Sequence, residues 1–170
     1  MSLYNHHLSG GTIIYPQHME LIQEVLSELA LQIPGIFVMV TDNAGQNIAW
    51  AGEVGGTNLV TLGALIASDM AAGQEIARVT GESHLPKMIL HEGPETFQFI
   101  CEAGEDLVLF ARVPSETPLG LSRNFIKQTA HQLDEITQDS KTKQEGKKIG
   151  LEDQELQQQV GDAFEDLWSK

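Results

Sequence analysis

His6, His7, His18, His84, His91 and His131, together with the single Cys101, are the side chains best suited to hold a transition metal or attack a substrate. A zinc site needs ligands at short, fixed spacings, and neither an HExxH nor a CxxC pattern occurs. His6 and His7 sit in a polar chain end, where a solvated pair is the simpler reading. Cys101 alternates with Phe97 and Phe99, so it is expected to act as a small hydrophobe. Asp42 opens the run Asp-Asn-Ala-Gly, which is turn chemistry rather than a poised carboxylate. There is no Walker A run, no GxGxxG after a strand and no GxSxG elbow. The sequence therefore predicts no catalytic, cofactor-binding or metal residues, and no enzyme acting on its own.

Composition narrows the remaining classes. The chain has 170 residues, 41% of them hydrophobic, enough for one domain with an appendage. Its net charge of −14, from 24 acidic and 10 basic residues, argues against a nucleic-acid or anionic membrane surface. A lone cysteine suits a reducing cytosol, so the expected location is cytoplasmic. Asp69 interrupts the most apolar stretch, and the polar start lacks the pattern of a secretory leader.

With little chemistry to position, the elements must serve contact. Residues 1–15 are expected to be loosely ordered. Pro16 opens a helix whose apolar positions are Met19, Ile22, Val25, Leu26, Leu29 and Ile33, and Pro34-Gly35 ends it. Ile36–Val40 and Gln46–Ala51 are strands around the Asp42–Gly45 turn. A helix capped by Asn58 runs to about Gly81. Residues 85–92, 96–102 and 107–113 give three strands, the first at an edge. Thr117 and Pro118 start the last domain helix, with Leu119, Ile126, Ala130, Leu133 and Ile136 on one face. Residues 139–150 are polar and read as a linker, and 151–170 as an amphipathic tail helix. The order is α-β-β-α-β-β-β-α with a tail helix, an α+β fold. It predicts one five-stranded antiparallel sheet between helices, with 36–41 and 107–113 central.

The helix after the second strand is unusual. Eight of its residues between Leu59 and Ala77 are Ala, Gly or Ser. Leu59, Leu62, Ile66, Met70 and Ala77 form a core stripe at about 100° per residue. Opposite lie Val60, Ala64, Ala67, Ser68, Ala71 and Glu75, where a solvated face would carry several charges. Small side chains let another backbone come close, so this face is expected to meet a second helix.

The spans "IPGIFVMVTDNAGQNIAWAG", "LVTLGALIASDMAAGQEIARVTGE" and "TPLGLSRNFI", in that order and spacing, resemble the Roadblock domains, named for a dynein light chain. The resemblance covers about residues 17–138. It implies a homodimer or heterodimer in which the Ala-rich helix packs on its dyad mate. It also implies that the third strands, carrying Met88 and Leu90 here, join two sheets into one of ten strands. It further implies a platform for small Ras-like GTPases, a bacterial GTPase-activating partner, or a motor light chain. Tail residues 141–170 depart from the family pattern.

Two classes of function follow from the resemblance: a regulator of a small GTPase, or a structural adaptor in a motor or signalling complex. A small-molecule sensor is a third, since small α/β sheets also house ligands. An arginine finger for the first would have to be Arg78, Arg112 or Arg123. Arg112 falls in a predicted central strand, and the other two suit helix ends. Activation is therefore expected without a supplied arginine, the dimer holding the GTPase's own switch residues. Leu156, Val160, Phe164 and Leu167 line one face of the tail helix and are expected to bury it on a partner.

Overall fold

The computed structural model describes residues 5–84 and 87–168, with side chains as far as residue 146. A short hairpin pairs β1 (His6–His7) with β2 (Ile13–Ile14). Helix α1 (Pro16–Gln32) follows, then β3 (Phe37–Asp42), β4 (Asn47–Gly52), α2 (Leu59–Val79), β5 (Met88–Glu92), β6 (Thr96–Ala103), β7 (Leu107–Pro114) and α3 (Leu119–Trp168). The last five strands form one antiparallel sheet in the order β4-β3-β7-β6-β5. The expected α+β architecture is present, with β7 and β3 inside and β5 at an edge.

The sheet separates two cores. On one face, Val38, Val40, Phe99, Leu107, Leu109 and Val113 pack against Ile22, Leu26 and Leu29 of α1 and Ile126, Ala130 and Leu133 of α3. On the other, the smaller core joins Phe37, Met39, Ile100, Val108 and Phe110 to Ile66 and Met70 of α2. Alternate residues of β3 serve opposite faces, as the two-residue period of a strand requires. Both faces being covered makes β3 and β7 almost continuously apolar.

Two expectations need correction. The N-terminal segment is not loose over its described part. Ser9 N–H donates to Asp42, Thr12 Oγ1 to Asp106, and Leu8 is buried. The stretch 139–150 is helical, because α3 continues through it without a break. Three of its polar side chains, Ser140, Lys141 and Gln144, are engaged with the rest of the fold. Ser140 Oγ donates to the Ile13 carbonyl, and Gln144 accepts from Ile13 N–H and donates to the Gly11 carbonyl. Lys141 reaches Glu105 at 2.9 Å and Asp106 at 2.8 Å. The hydrogen bond to Asp106, then that to Glu105, raises the Lys141 pKa above its ordinary value and holds it charged. Hairpin and helix thus replace each other's water, which composition alone cannot reveal. Leu85 and Pro86, expected to open the edge strand, lie outside the described residues.

Candidate interaction site on α2 and the β5 edge

Helix α2 is fixed at both ends by local chemistry. Asn58 Oδ1 accepts from Thr61 N–H at 3.1 Å, an N-cap. At the other end Gly81, with φ 76°, turns the chain so that Glu82 N–H reaches the Ala77 carbonyl and Gly81 N–H the Arg78 carbonyl. That is the Schellman closure, which needs a residue tolerant of positive φ. Between the ends, Ile66, Met70 and Ala77 are buried, with Leu59 and Leu62 packed beside them. The expected core stripe is therefore in place.

One small residue on the helix has an internal purpose. Gly63 lies against Gly45 of the β3–β4 turn, where a Cβ on Gly63 would strike the Gly45 carbonyl oxygen. A Cβ on Gly45 would in turn lie 2.5 Å from the Gly63 carbonyl oxygen. Here the absence of side chains lets a helix and a turn touch backbone to backbone.

The outer face is uncovered. Val60 is 79% exposed, Ala64, Ser68, Ala71 and Glu75 are exposed, and Ala67 is half-buried. Ser68 Oγ donates back to the Ala64 carbonyl, and Glu75 pairs with Arg78 at 2.8 Å. The sequence reading missed Leu65 and Ile76, 61% and 64% exposed, and Val79 beside them. Their signal was available: at about 100° per residue, Leu65 and Ile76 fall between the core stripe and the small face.

Strand β5 lies on the same flank. Its partner is β6, and among the described residues its outer edge pairs with no strand. His91 Nε2 lies 2.5 Å from Asp69 Oδ2, tying this edge to α2. Ile89 packs under α2, whereas Met88 and Leu90 point to the opposite face and pack against the larger core. Of the anticipated interface residues, those on α2 are thus brought together. Met88 and Leu90 offer the edge their backbone, with side chains turned to the other face. Leu156, Val160, Phe164 and Leu167 lie outside the residues whose side chains are described.

Groups with catalytic potential are engaged in structure. Asp42 is fully buried and accepts from Ala44, Gln46 and Ser9 N–H, so it closes the turn and anchors the hairpin. Arg112 donates to the Glu53 carbonyl and stacks over Phe37, 5.6 Å from the ring centre. Among the described residues, no three His, Cys, Asp or Glu come together to hold a metal ion. Burial pushes the Cys101 thiol up to about 11, away from nucleophilic use. No described helix is long and apolar enough to cross a membrane.

No protein-family model matches the sequence, and no curated protein matches it. Solved structures do. Myxococcus xanthus MglB is 27% identical with a TM-score of 0.70, the match covering 74% of this chain and 94% of that one. A structure described as MglB with a tetrameric arrangement is 26% identical with a TM-score of 0.69, covering 76% and 96%. A Roadblock/LC7 domain from Streptomyces avermitilis, 15% identical with a TM-score of 0.58 over 64% and 90%, shares the fold. The sheet order, the helix placement and these likenesses agree with the motifs in the sequence: the chain has the Roadblock fold and is similar to MglB over most of its length.

Proposed function

We propose that this chain is a homodimeric, non-catalytic regulator or platform for a small Ras-like GTPase. The observation that carries it is the joint exposure of the α2 outer face and the β5 edge in a chain that resembles MglB over most of its length. The dimer seam comprises Val60, Ala64, Ala67, Ser68, Ala71 and Glu75, extended by Leu65 and Ile76 toward β5. In an isologous contact the same patch serves twice, so small side chains shorten the approach on both helices. Met88 and Leu90 contribute through the backbone of the β5 edge, where two sheets join. Two of the three candidate arginines are engaged, Arg78 with Glu75 and Arg112 with the Glu53 carbonyl, while Arg123 is exposed on α3, across the sheet from the α2 seam. Stimulation of GTP turnover would then come from ordering the GTPase's own switch segments. The acidic surface suits a basic partner and speeds encounter.

Sedimentation at low micromolar concentration tests the seam. Ala71→Arg and Leu65→Arg should each convert dimer to monomer with the circular dichroism spectrum kept, and dimers in both variants would remove the assignment. The GTPase role is tested by capture from the native host followed by a GTP-turnover assay with the captured GTPase. Stimulation by the wild-type chain, lost in the monomeric variant, is expected. Turnover that the wild-type chain does not alter would leave a structural adaptor as the better description.

A further inference from the structure

The opposite face of the molecule carries a second surface that the α2 seam leaves open. Helices α1 and α3 pack side by side over the larger core and leave a trough between their outer edges. Its two stretches, about 450 and 440 Å³, share Val25, Glu28 and Gln132 and so run into one another. Its floor is apolar: Leu21, 45% exposed, then Val25, Phe125 and Ile136. From Leu21 to Gln32 the α1 wall is about 16 Å long, three helical turns.

The rim has a distinct charge pattern. Glu24 and Glu28 stand on the α1 wall, and neither has an ion-pair partner among the described residues. On the α3 wall, Asp139 is already held by His18 and Lys143, and Glu135 lies 3.8 Å from His131. Lys127 and His131 mark one end of the trough, while Gln128 and Gln132 leave the middle of the α3 wall uncharged. A ligand must therefore bring apolar groups to the floor and cations to the α1 side.

We propose that this trough is the docking site of a basic amphipathic helix from a partner protein. Apolar residues at i, i+4 and i+7 would meet Leu21, Val25, Phe125 and Ile136, and Lys or Arg along one flank would pair with Glu24 and Glu28. The site lies across the sheet from α2, so it does not depend on the dimer or on the GTPase reading.

The test uses the full chain and a labelled 18-residue peptide of Leu and Lys at helical spacing, followed by fluorescence anisotropy. Its counterpart carries Glu in place of Lys. Glu24→Gln/Glu28→Gln should weaken the Lys peptide about tenfold, as two rim ion pairs are lost. Leu21→Asp should weaken it about fivefold, through lost apolar contact, although it adds a negative charge. A control pair on the β5–β6 turn, Glu92→Gln/Glu95→Gln, should stay within about twofold of wild type, because its charges lie outside the trough. Each changed residue is exposed or half-exposed, and an unchanged circular dichroism spectrum verifies the fold. Equal loss in the control pair, tighter binding by Leu21→Asp, or equal binding of the Glu peptide would each overturn the proposal. The first two would mark attraction to net charge alone.

Discussion

Replacing Gly63 by Ala tests how α2 is seated. The new Cβ would fall on the Gly45 carbonyl oxygen, a backbone atom, while the Met39 methyl beside it lies at ordinary contact distance, 3.4 Å. The clashing group cannot swing away, so the helix or the turn has to move. Overpacking of this kind costs about 1–3 kcal/mol. Ala gains about 1 kcal/mol over Gly in a helix interior. Because the clash is between two rigid backbones, the penalty belongs near the top of its range, leaving a net loss of about 2 kcal/mol. With a urea slope of about 2 kcal/mol per molar, the midpoint should fall by about 1 M. The assay is urea unfolding followed by far-UV circular dichroism at one fixed protein concentration, since dimerisation couples stability to concentration. Gly120→Ala is the control: it sits in the first turn of α3 with nothing near its added Cβ, and its midpoint should hold or rise. If Gly63→Ala also holds or rises, α2 does not rest on the β3–β4 turn, and the backbone-contact argument is refuted.

Asp106→Ala should release the N-terminal hairpin from α3, because Asp106 accepts from Thr12 at 3.0 Å and from Lys141 at 2.8 Å. Lys141 keeps Glu105, so a loss of about 2 kcal/mol is expected rather than the full cost of an orphaned buried charge; hydrogen exchange at residues 12–14 should quicken. Asp139 has its pKa lowered below the ordinary 3.8, first by the Lys143 hydrogen bond and then by that from His18. Its contribution is present above the unfolded pKa and fades as pH falls through the folded one, so Asp139→Asn should flatten the acid limb of a stability profile below about pH 4. At pH 8, Cys101 should react with a soluble disulfide reagent about 100-fold more slowly in the folded chain than in urea, given a thiol pKa of about 11 against 9.0. Equal rates would mean that the thiol is not buried.

The main elements were legible because their signals are local. The α1 stripe, the Asp42–Gly45 turn, the Asn58 cap and the apolar run of β7 each lie within a few residues of chain. What escaped the sequence depends on distant partners. Strands of two residues, His6–His7 and Ile13–Ile14, are too short for periodicity to register, and their anchors are Asp42, Asp106 and Gln144. Ser140, Lys141 and Gln144 look like linker residues until the hairpin is beside them. At the site, reading α2 as a core stripe against a small stripe passed over Leu65 and Ile76 on its flank. Only the position of β5 shows that this flank borders an open edge. Likewise, the resemblance put Met88 and Leu90 on the joining strand without saying which side of the sheet their side chains met.

The unequal cover of the sheet supports the proposed dimer. One face is closed by two helices and a hairpin, whereas the other rests under α2 alone, whose outer side is apolar. Val60, Leu65, Ile76 and Val79 each keep most of their surface in water. Full burial of such a side chain is worth about 1.5–3 kcal/mol, so the exposed remainder is worth roughly 1–2. Doubled by symmetry, the four give roughly 8–16 kcal/mol of gross stabilisation, before any contribution from paired β5 edges. Association costs about 4–15 kcal/mol in lost freedom. A dissociation constant near 1 μM needs about 8 kcal/mol net. The net from the apolar patch alone therefore runs from unfavourable to about 12 kcal/mol, a span that includes the micromolar requirement. Over most of that span the proposed dimer needs a second contribution, and backbone hydrogen bonds between two joined β5 edges are the one that the open edge offers. On this reasoning a substitution on the β5 edge that blocks strand pairing should weaken the dimer as severely as Leu65→Arg.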